Sequence, residues 1–402
     1  MLKKISLFPI KLKFLPKILL LLFCWTILPL FLVEILMIVL EPKLSQGLYQ
    51  YDPDLGFKIR PYANGNNQFG FNDRDYPLQK EPGKYRILIL SDSFNWAGGK
   101  EGNYTALLEN KFAQYYQNSQ VEVINAGYPG THTGEQLALL KKYALQYHPD
   151  LVVLGFFVGN DFIDAKPNRK RIIVNDIYID IDKRKELKIF GYPIINQSRL
   201  LLFIQQKYKV FQEAQKAQKQ SILPYQLQFV INQAEPEKSP GILSLETFLA
   251  TEKTRLDFCK RQDLQKRVWN DNINYVLQSI DEMNRLLQQR NIQFIVAIYP
   301  DEFQINPHLL NQIQKKYDLN LSKYDPNCMQ NLLISHLQSQ QITYIDFRPR
   351  FQAEQKQIPL YLLQEPHWNS AGNQLAAEIL FENLISKTNQ FFKLFSPYPN
   401  KI

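Results

Sequence analysis

The chain has 402 residues, 45% of them hydrophobic and 21% charged, a balance that supports a sizeable core and excludes disorder throughout. The net charge is +9, and a nucleic-acid partner would need that charge gathered into one basic stripe. Instead Lys3, Lys4, Lys11, Lys13 and Lys17, against Glu34 and Glu41, put +3 of it into residues 1–41 and the rest is spread thinly, so no nucleic-acid partner is expected.

From Ile18 to Leu40 runs an apolar stretch of 23 residues, interrupted only by Thr26, Pro29 and Glu34. As a helix it is about 34 Å long, enough to cross a hydrocarbon core of about 30 Å. Secretory signal cores are shorter and end at a small-x-small cleavage site; the sequence here continues as EPKLSQG. Residues 18–40 are therefore expected to be a retained anchor, with the lipid bilayer as partner. Residues 1–17 form a basic segment held in the cytoplasm by the positive-inside rule, and the remainder lies outside the cytoplasmic membrane. Glu34 falls in the outer third of the span and is given no role. Cys24 lies in the span. Cys259 and Cys328 are either a disulfide or two unpaired thiols, and spacing does not choose between them. No metal-ligand pattern occurs, and neither metal nor cofactor is expected.

Residues 41–84 read as an irregular lead-in rich in Pro, Gly and Asn. Strands and helices then alternate. YRILIL (Tyr85–Leu90) reads as a buried strand, residues 103–117 as a helix, Val121–Asn125 as a second strand, and 134–147 as a helix. Leu151–Val158 reads as a third strand. Residues 165–262 break the rhythm and read as one large, partly mobile insertion with a hairpin (IIVNDIYIDID), an amphipathic stretch at 198–219 and a Gln/Lys-rich run. The rhythm resumes with a helix over 263–290, whose Trp269, Ile273, Val276, Ile280, Met283 and Leu287 share a face. Ile292–Tyr299 and Ile342–Phe347 read as strands separated by a helical region, and 370–387 as the last helix. Segments 85–164 and 263–390 thus predict an α/β domain with a parallel five-stranded sheet in three α/β/α layers.

In open parallel sheets, sites gather at the carboxyl ends of the strands. Those ends carry Ser91-Asp92-Ser93-Phe94, Asn125-Ala126-Gly127, Gly159-Asn160-Asp161 and, before the last helix, Glu365-Pro366-His367-Trp368-Asn369. A serine, a histidine base, a carboxylate and oxyanion donors are the parts of acyl transfer. Ser93 is the expected nucleophile and His367 the base. Glu365 is the nearest residue to orient the imidazole. Backbone N–H groups of Ser93 and Gly127 and the Asn160 amide are the expected oxyanion donors. Glycine at 127 would let the backbone approach the substrate. Taken singly, each has a plainer explanation: Asp92 or Ser93 as a cap, Gly127 as a turn residue, Asn160 as a cap, His367 as a core histidine. Trp96 and Trp368 suit pocket lining or packing equally. His132, His148, His308 and His336 are assigned no role.

The order Ser93, Gly127, Asn160, His367 resembles the SGNH/GDSL hydrolase family, whose name spells those residue types, and within it the membrane-anchored bacterial members. The resemblance covers roughly 69–164 and 291–388, including FGFNDRDYP and PDEFQ. It implies a flavodoxin-like three-layer fold, ester substrates such as O-acetylated cell-envelope polysaccharide, and this Ser–His site. Two positions depart from the family pattern. Ser91 stands where the first block has glycine, and Gln364 stands where the widespread Asp-x-x-His has its acid. Glu365 fits the Asp-x-His variant with a longer arm, and a Ser–His dyad oriented by a backbone carbonyl stays open. Three functions fit this reading: an ester hydrolase, an O-acyltransferase using the same residues, and a non-catalytic envelope protein that binds glycan or a partner of unknown identity.

Overall fold

The computed structural model describes residues 15–44, 47–167, 171–174, 177–180, 188–189, 192–193, 198–220, 243–268 and 270–395. The chain divides into two compact units, one of residues 1–51 and 170–220 and one of 52–169 and 221–402.

The larger unit is built on a five-stranded parallel sheet. Its strands are β1 (Tyr85–Leu90), β2 (Val121–Asn125), β3 (Leu151–Phe157), β4 (Gln293–Tyr299) and β5 (Thr343–Asp346). Their order across the sheet is β5-β4-β3-β1-β2. Every residue of β1, β2 and β3 is buried. That is why β1 and β3 read as near-continuous apolar runs rather than as alternations: helices cover both faces. Helices α1 (Tyr104–Tyr116) and α7 (Ser370–Phe395) pack together, as do α2 (Thr133–Lys142) and α4 (Asp271–Gln288). Ile87, Ile89, Leu108, Phe112, Val153, Ala297, Leu380 and Leu384 belong to one core. Arg86 is the exception within β1. It is fully buried, yet its Nε donates to Glu122 Oε2 at 2.6 Å and its terminal nitrogens donate to the carbonyls of Pro77, Leu78 and Tyr147. A charge so completely paired is tolerated inside a protein.

Helix boundaries differ from expectation where polar side chains stop the backbone. The predicted helix over 263–290 is two pieces, Arg261–Val268 and α4, because Asn270 takes an extended conformation and its side chain accepts from Asn272 N. Ile273, Val276, Ile280, Met283 and Leu287 are buried along α4; Trp269 lies outside the described residues. The helical region before β5 resolves into short Glu302–Ile305, α5 (Pro307–Tyr317) and α6 (Cys328–Ser339).

Residues 165–262, expected as one insertion, do not stay together. Residues 170–220 group with the N-terminal helix, whereas α3 (Leu245–Asp257) packs within the sheet unit. There Phe248, Leu249 and Leu256 form a second core with Phe303, Leu309, Ile313 and Tyr324. Cys259, just past α3, is disulfide-bonded to Cys328 at the start of α6, with Cα atoms 5.6 Å apart. The Gln/Lys-rich run at 221–242 lies outside the described residues.

The smaller unit begins with helix over 15–44, the segments Leu15–Leu22 and Leu28–Leu44 being joined by a π-helical turn at Phe23–Ile27. Among the described residues it is the one helix long and apolar enough to cross a membrane, over Leu20–Leu40, and its apolar side chains face outward. It is compatible with a signal anchor. The expected hairpin forms from Arg171–Val174 and Ile177–Asp180. Glu34, given no role above, has partners. Its carboxylate accepts from Ser198 Oγ at 2.8 Å and from the N–H groups of Arg199 and Leu200 at 2.6 and 3.0 Å. It thereby caps the helix Arg199–Gln220.

Candidate active site

Strand β1 ends at Leu90, and a 3-10 turn over Ser93–Asn95 follows at once. Asp92 caps that turn, accepting from Phe94 N at 3.0 Å. The plain capping role and a place in a reactive site therefore coexist in one block. Ser91 occupies the glycine position without disturbing the turn, because its hydroxyl donates to the Gly155 carbonyl at 2.8 Å and pins β1 to β3. Asn103, the N-cap of α1, donates to the carbonyls of Phe94 and Ala97 and ties the turn to the helix behind it.

His367 reaches this turn from the other end of the domain. An antiparallel bridge between Tyr361 and Trp368 closes its loop. Leu362 N donates to His367 O, and Gln364 turns the chain with φ +53°. Gln364 thus bends the loop, and the next residue carries the carboxylate to the ring. Asn369 caps α7, accepting from Gly372 N. The result is an aligned set. Ser93 Oγ lies 2.7 Å from His367 Nε2, and His367 Nδ1 lies 2.6 Å from Glu365 Oε1. Glu365 is buried and His367 half-buried. With the carboxylate accepting from Nδ1–H, Nε2 is left as the acceptor facing the serine hydroxyl.

Asn160 stands at the end of β3. Its Nδ2 donates to Asp92 Oδ2 at 3.0 Å, which fixes the amide with its NH2 group towards the serine block. Burial pushes the Asp92 carboxyl up from its usual range, a rise that the Asn160 and Phe94 hydrogen bonds oppose. Asp161 closes the loop, accepting from Phe157 N at 2.8 Å; burial and the neighbouring Asp92 push its carboxyl well up. The neighbouring Asn95 side chain already requires glycine at 127. A Cβ there would sit 2.3 Å from Asn95 Cβ. The Gly127 N–H is also engaged, donating to Asn125 Oδ1 at 3.2 Å, while its carbonyl accepts from Trp96 Nε1 at 3.0 Å. Trp96 is therefore a strut for this loop. Trp368 is fully buried among Phe94, Tyr104, Tyr299 and Phe347, as a packing residue. Phe94 also meets the His367 ring at 5.2 Å and forms the wall beneath it.

Behind that wall lies a charged cluster that sequence reasoning missed. Arg255 of α3 stands over the Phe157 ring, 2.7 Å from Glu252 Oε1 and 3.5 Å from Asp301 Oδ2. Asp301 presses against Gly159, where a Cβ would meet its Oδ2 at 2.3 Å. Burial, with Asp301 beside it, pushes the Glu252 carboxyl well up. Asp301 belongs to the PDEFQ segment singled out above, but Arg255 and Glu252 carried no signal in the sequence.

Residues 258–394, about a third of the chain, match the family described as "SGNH hydrolase-like domain, acetyltransferase AlgX". That segment contains β4, β5, Glu365 and His367. Over that segment the sheet unit is similar to an SGNH hydrolase-like domain. The match does not reach Ser93, so the serine half of the site rests on the geometry above. Among solved structures, the acetyl xylan esterase AlAXEase is 16% identical, with 74% of this chain and 99% of that chain covered and a TM-score of 0.38. A lipase/acylhydrolase from Enterococcus faecalis is 12% identical (75% and 96% covered, TM-score 0.34), as is the psychrotrophic esterase EstA from Pseudoalteromonas sp. (76% and 100%, 0.33). No curated protein matches the sequence.

Proposed function

We propose that the protein is a membrane-anchored, extracytoplasmic serine enzyme that cleaves O-acyl esters of cell-envelope polysaccharide, acetyl esters foremost. The observation that carries this reading is the continuous line from Ser93 Oγ through His367 to Glu365, with both contacts at hydrogen-bond length. Ser93 Oγ attacks the ester carbonyl carbon while its proton passes to His367 Nε2. The resulting imidazolium is stabilised by the Glu365 carboxylate. Collapse of the tetrahedral intermediate breaks the bond to the alcohol oxygen, which takes the proton from Nε2. Ser93 is left acylated. Water, activated by the same imidazole, then releases the acid and restores the serine.

The developing oxyanion is met by the Ser93 N–H and by the second Nδ2 hydrogen of Asn160, whose first is held by Asp92. Gly127 N–H joins them on leaving Asn125. Each such donor is worth roughly 2.7–4 kcal/mol to the transition state. A second reading is favoured by the name of the matching family, an acetyltransferase: a sugar hydroxyl replaces water in the second half and the acyl group moves rather than being released.

The test uses the full chain in detergent. A fluorophosphonate probe is expected to label it and to leave Ser93→Ala unlabelled, and p-nitrophenyl acetate hydrolysis is expected to vanish in that variant. Equal labelling and equal turnover in the two proteins would refute the assignment and favour the non-catalytic binding function. Adding a glycan acceptor separates transfer from hydrolysis by where the acyl group appears.

A further inference from the structure

The helix Arg199–Gln220 has 22 residues, long enough to show a face. Leu201, Ile204, Tyr208 and Phe211 recur at spacings of three and four, so they share one side. They are 37%, 52%, 61% and 57% exposed, whereas Leu202, on another side, is 1% exposed. Among the described residues these four large apolar side chains form an exposed stripe. The helix also has five basic residues (Arg199, Lys207, Lys209, Lys216, Lys219) against one acid, Glu213. Lys207 is exposed, with its Nζ 5.5 Å from the Phe203 ring.

The start of this helix is fixed to the apolar span. Ser198, Arg199 and Leu200 all donate to Glu34, and the helix packs against the Leu28–Leu44 segment. Glu34 stands six residues before Leu40, the C-terminal end of the apolar span and its outer end on the anchor reading, which is about 9 Å along a helix. A helix lying in a membrane interface sinks its apolar face about 5–10 Å into the headgroup and acyl boundary. The two depths agree. The contact also explains how a carboxylate is tolerated in an apolar span: three donors and the positive end of a helix dipole satisfy it.

We propose that helix 199–220 is a second membrane element, an amphipathic helix seated in the extracytoplasmic interface of the bilayer and hooked to the spanning helix at Glu34. The occupant of its apolar stripe is lipid, and the basic residues favour anionic headgroups. The proposal rests on the anchor reading of residues 18–40, and its test separates the two. In a Cys24→Ser background, with the disulfide kept oxidised, single cysteines replace Trp25, Tyr208, Phe211 or the exposed Asn118 of the sheet unit. Each full-length protein is labelled with an environment-sensitive fluorophore and reconstituted into vesicles of phosphatidylethanolamine and phosphatidylglycerol, with or without doxyl-labelled lipid.

The label at Trp25→Cys is expected to be quenched by deep doxyl groups, those at Tyr208→Cys and Phe211→Cys by shallow ones, and that at Asn118→Cys by neither. Adding Glu34→Ala is expected to weaken quenching at Tyr208→Cys and leave Trp25→Cys unchanged. Quenching at Trp25→Cys alone would overturn the proposal and keep the anchor. Blue-shifted emission at Tyr208→Cys without lipid quenching would show a protein cover instead of lipid, and would also overturn it. Loss of quenching at all three sites would remove the anchor itself.

Discussion

Replacing Glu365 by Gln isolates the charge that faces the His367 imidazole. The side chain keeps its size and an oxygen able to accept from His367 Nδ1, now 2.6 Å from Oε1, but loses the negative charge. Glu365 is buried and the His367 side chain is only 21% exposed, so solvent screens the pair weakly. A hydrogen bond to a charged group contributes roughly 1.5–3 kcal/mol, which translates to a loss of roughly 10- to 150-fold in rate. In the proposed mechanism the carboxylate stabilises an imidazolium that exists only after the proton has moved, so the loss is expected in kcat with KM nearly unchanged. The assay is steady-state hydrolysis of p-nitrophenyl acetate by the full chain, beside Ser93→Ala as the inactive reference. Glu365→Asp, which restores charge on a shorter arm, should recover part of the rate. Full activity in Glu365→Gln, with Ser93→Ala inactive, would refute the triad and leave a Ser–His dyad.

The Cys259–Cys328 bridge spans 69 residues of sequence, for which chain entropy gives roughly 4 kcal/mol of stabilisation. The Cys259→Ser/Cys328→Ser pair is expected to lower the urea midpoint accordingly, and thiol titration of the unreduced, unfolded chain should return Cys24 alone. Arg255→Met strands Glu252 and Asp301 in the interior, a change that costs roughly 3–5 kcal/mol; adding Glu252→Gln should recover part of the melting temperature. Burial pushes the Glu302 carboxyl up to about 7. An acid raised in the folded state binds its proton more tightly there, so stability falls as pH climbs from the unfolded value towards 7. Glu302→Gln, which keeps an acceptor for Asn306 Nδ2, removes that cost of roughly 1–3 kcal/mol. Its melting temperature should match the parent at pH 4 and exceed it at pH 8; a constant difference across that range would refute the assignment.

Much of the fold is legible because burial leaves a local mark. A strand covered on both faces has to be largely apolar, and β3 carries no polar side chain, β1 only Arg86 besides its Tyr85 hydroxyl, and β4 only the exposed Gln293 and the Tyr299 hydroxyl at its ends. The strand ends could then be searched for reactive groups, which is how Ser93, Asn160 and His367 stood out. Less legible were features set by polar side chains acting on backbone, such as Asn270 dividing the helix over 263–290 and Glu34 capping the helix at 199. Gly127 shows the same limit. Its residue type was evident, but the reason for it, the Asn95 side chain 2.3 Å from where its Cβ would stand, belongs to a neighbour 32 positions away.

The order of the strands along the chain, the apolar N-terminal segment and the set of reactive residue types follow from the amino-acid order, because each depends on the environment of a few consecutive residues. The meeting of Ser93 with His367 across 274 positions, the bond between Cys259 and Cys328, the use of Glu365 rather than a carbonyl behind the imidazole, and the Arg255 cluster beneath the site come from folding alone. Each needs a distance of a few ångströms between segments whose separation in sequence carries no information about their separation in space. The sheet order β5-β4-β3-β1-β2 brings β1 and β3 side by side, and that adjacency places Asn160 against Asp92, next to the serine that His367 reaches.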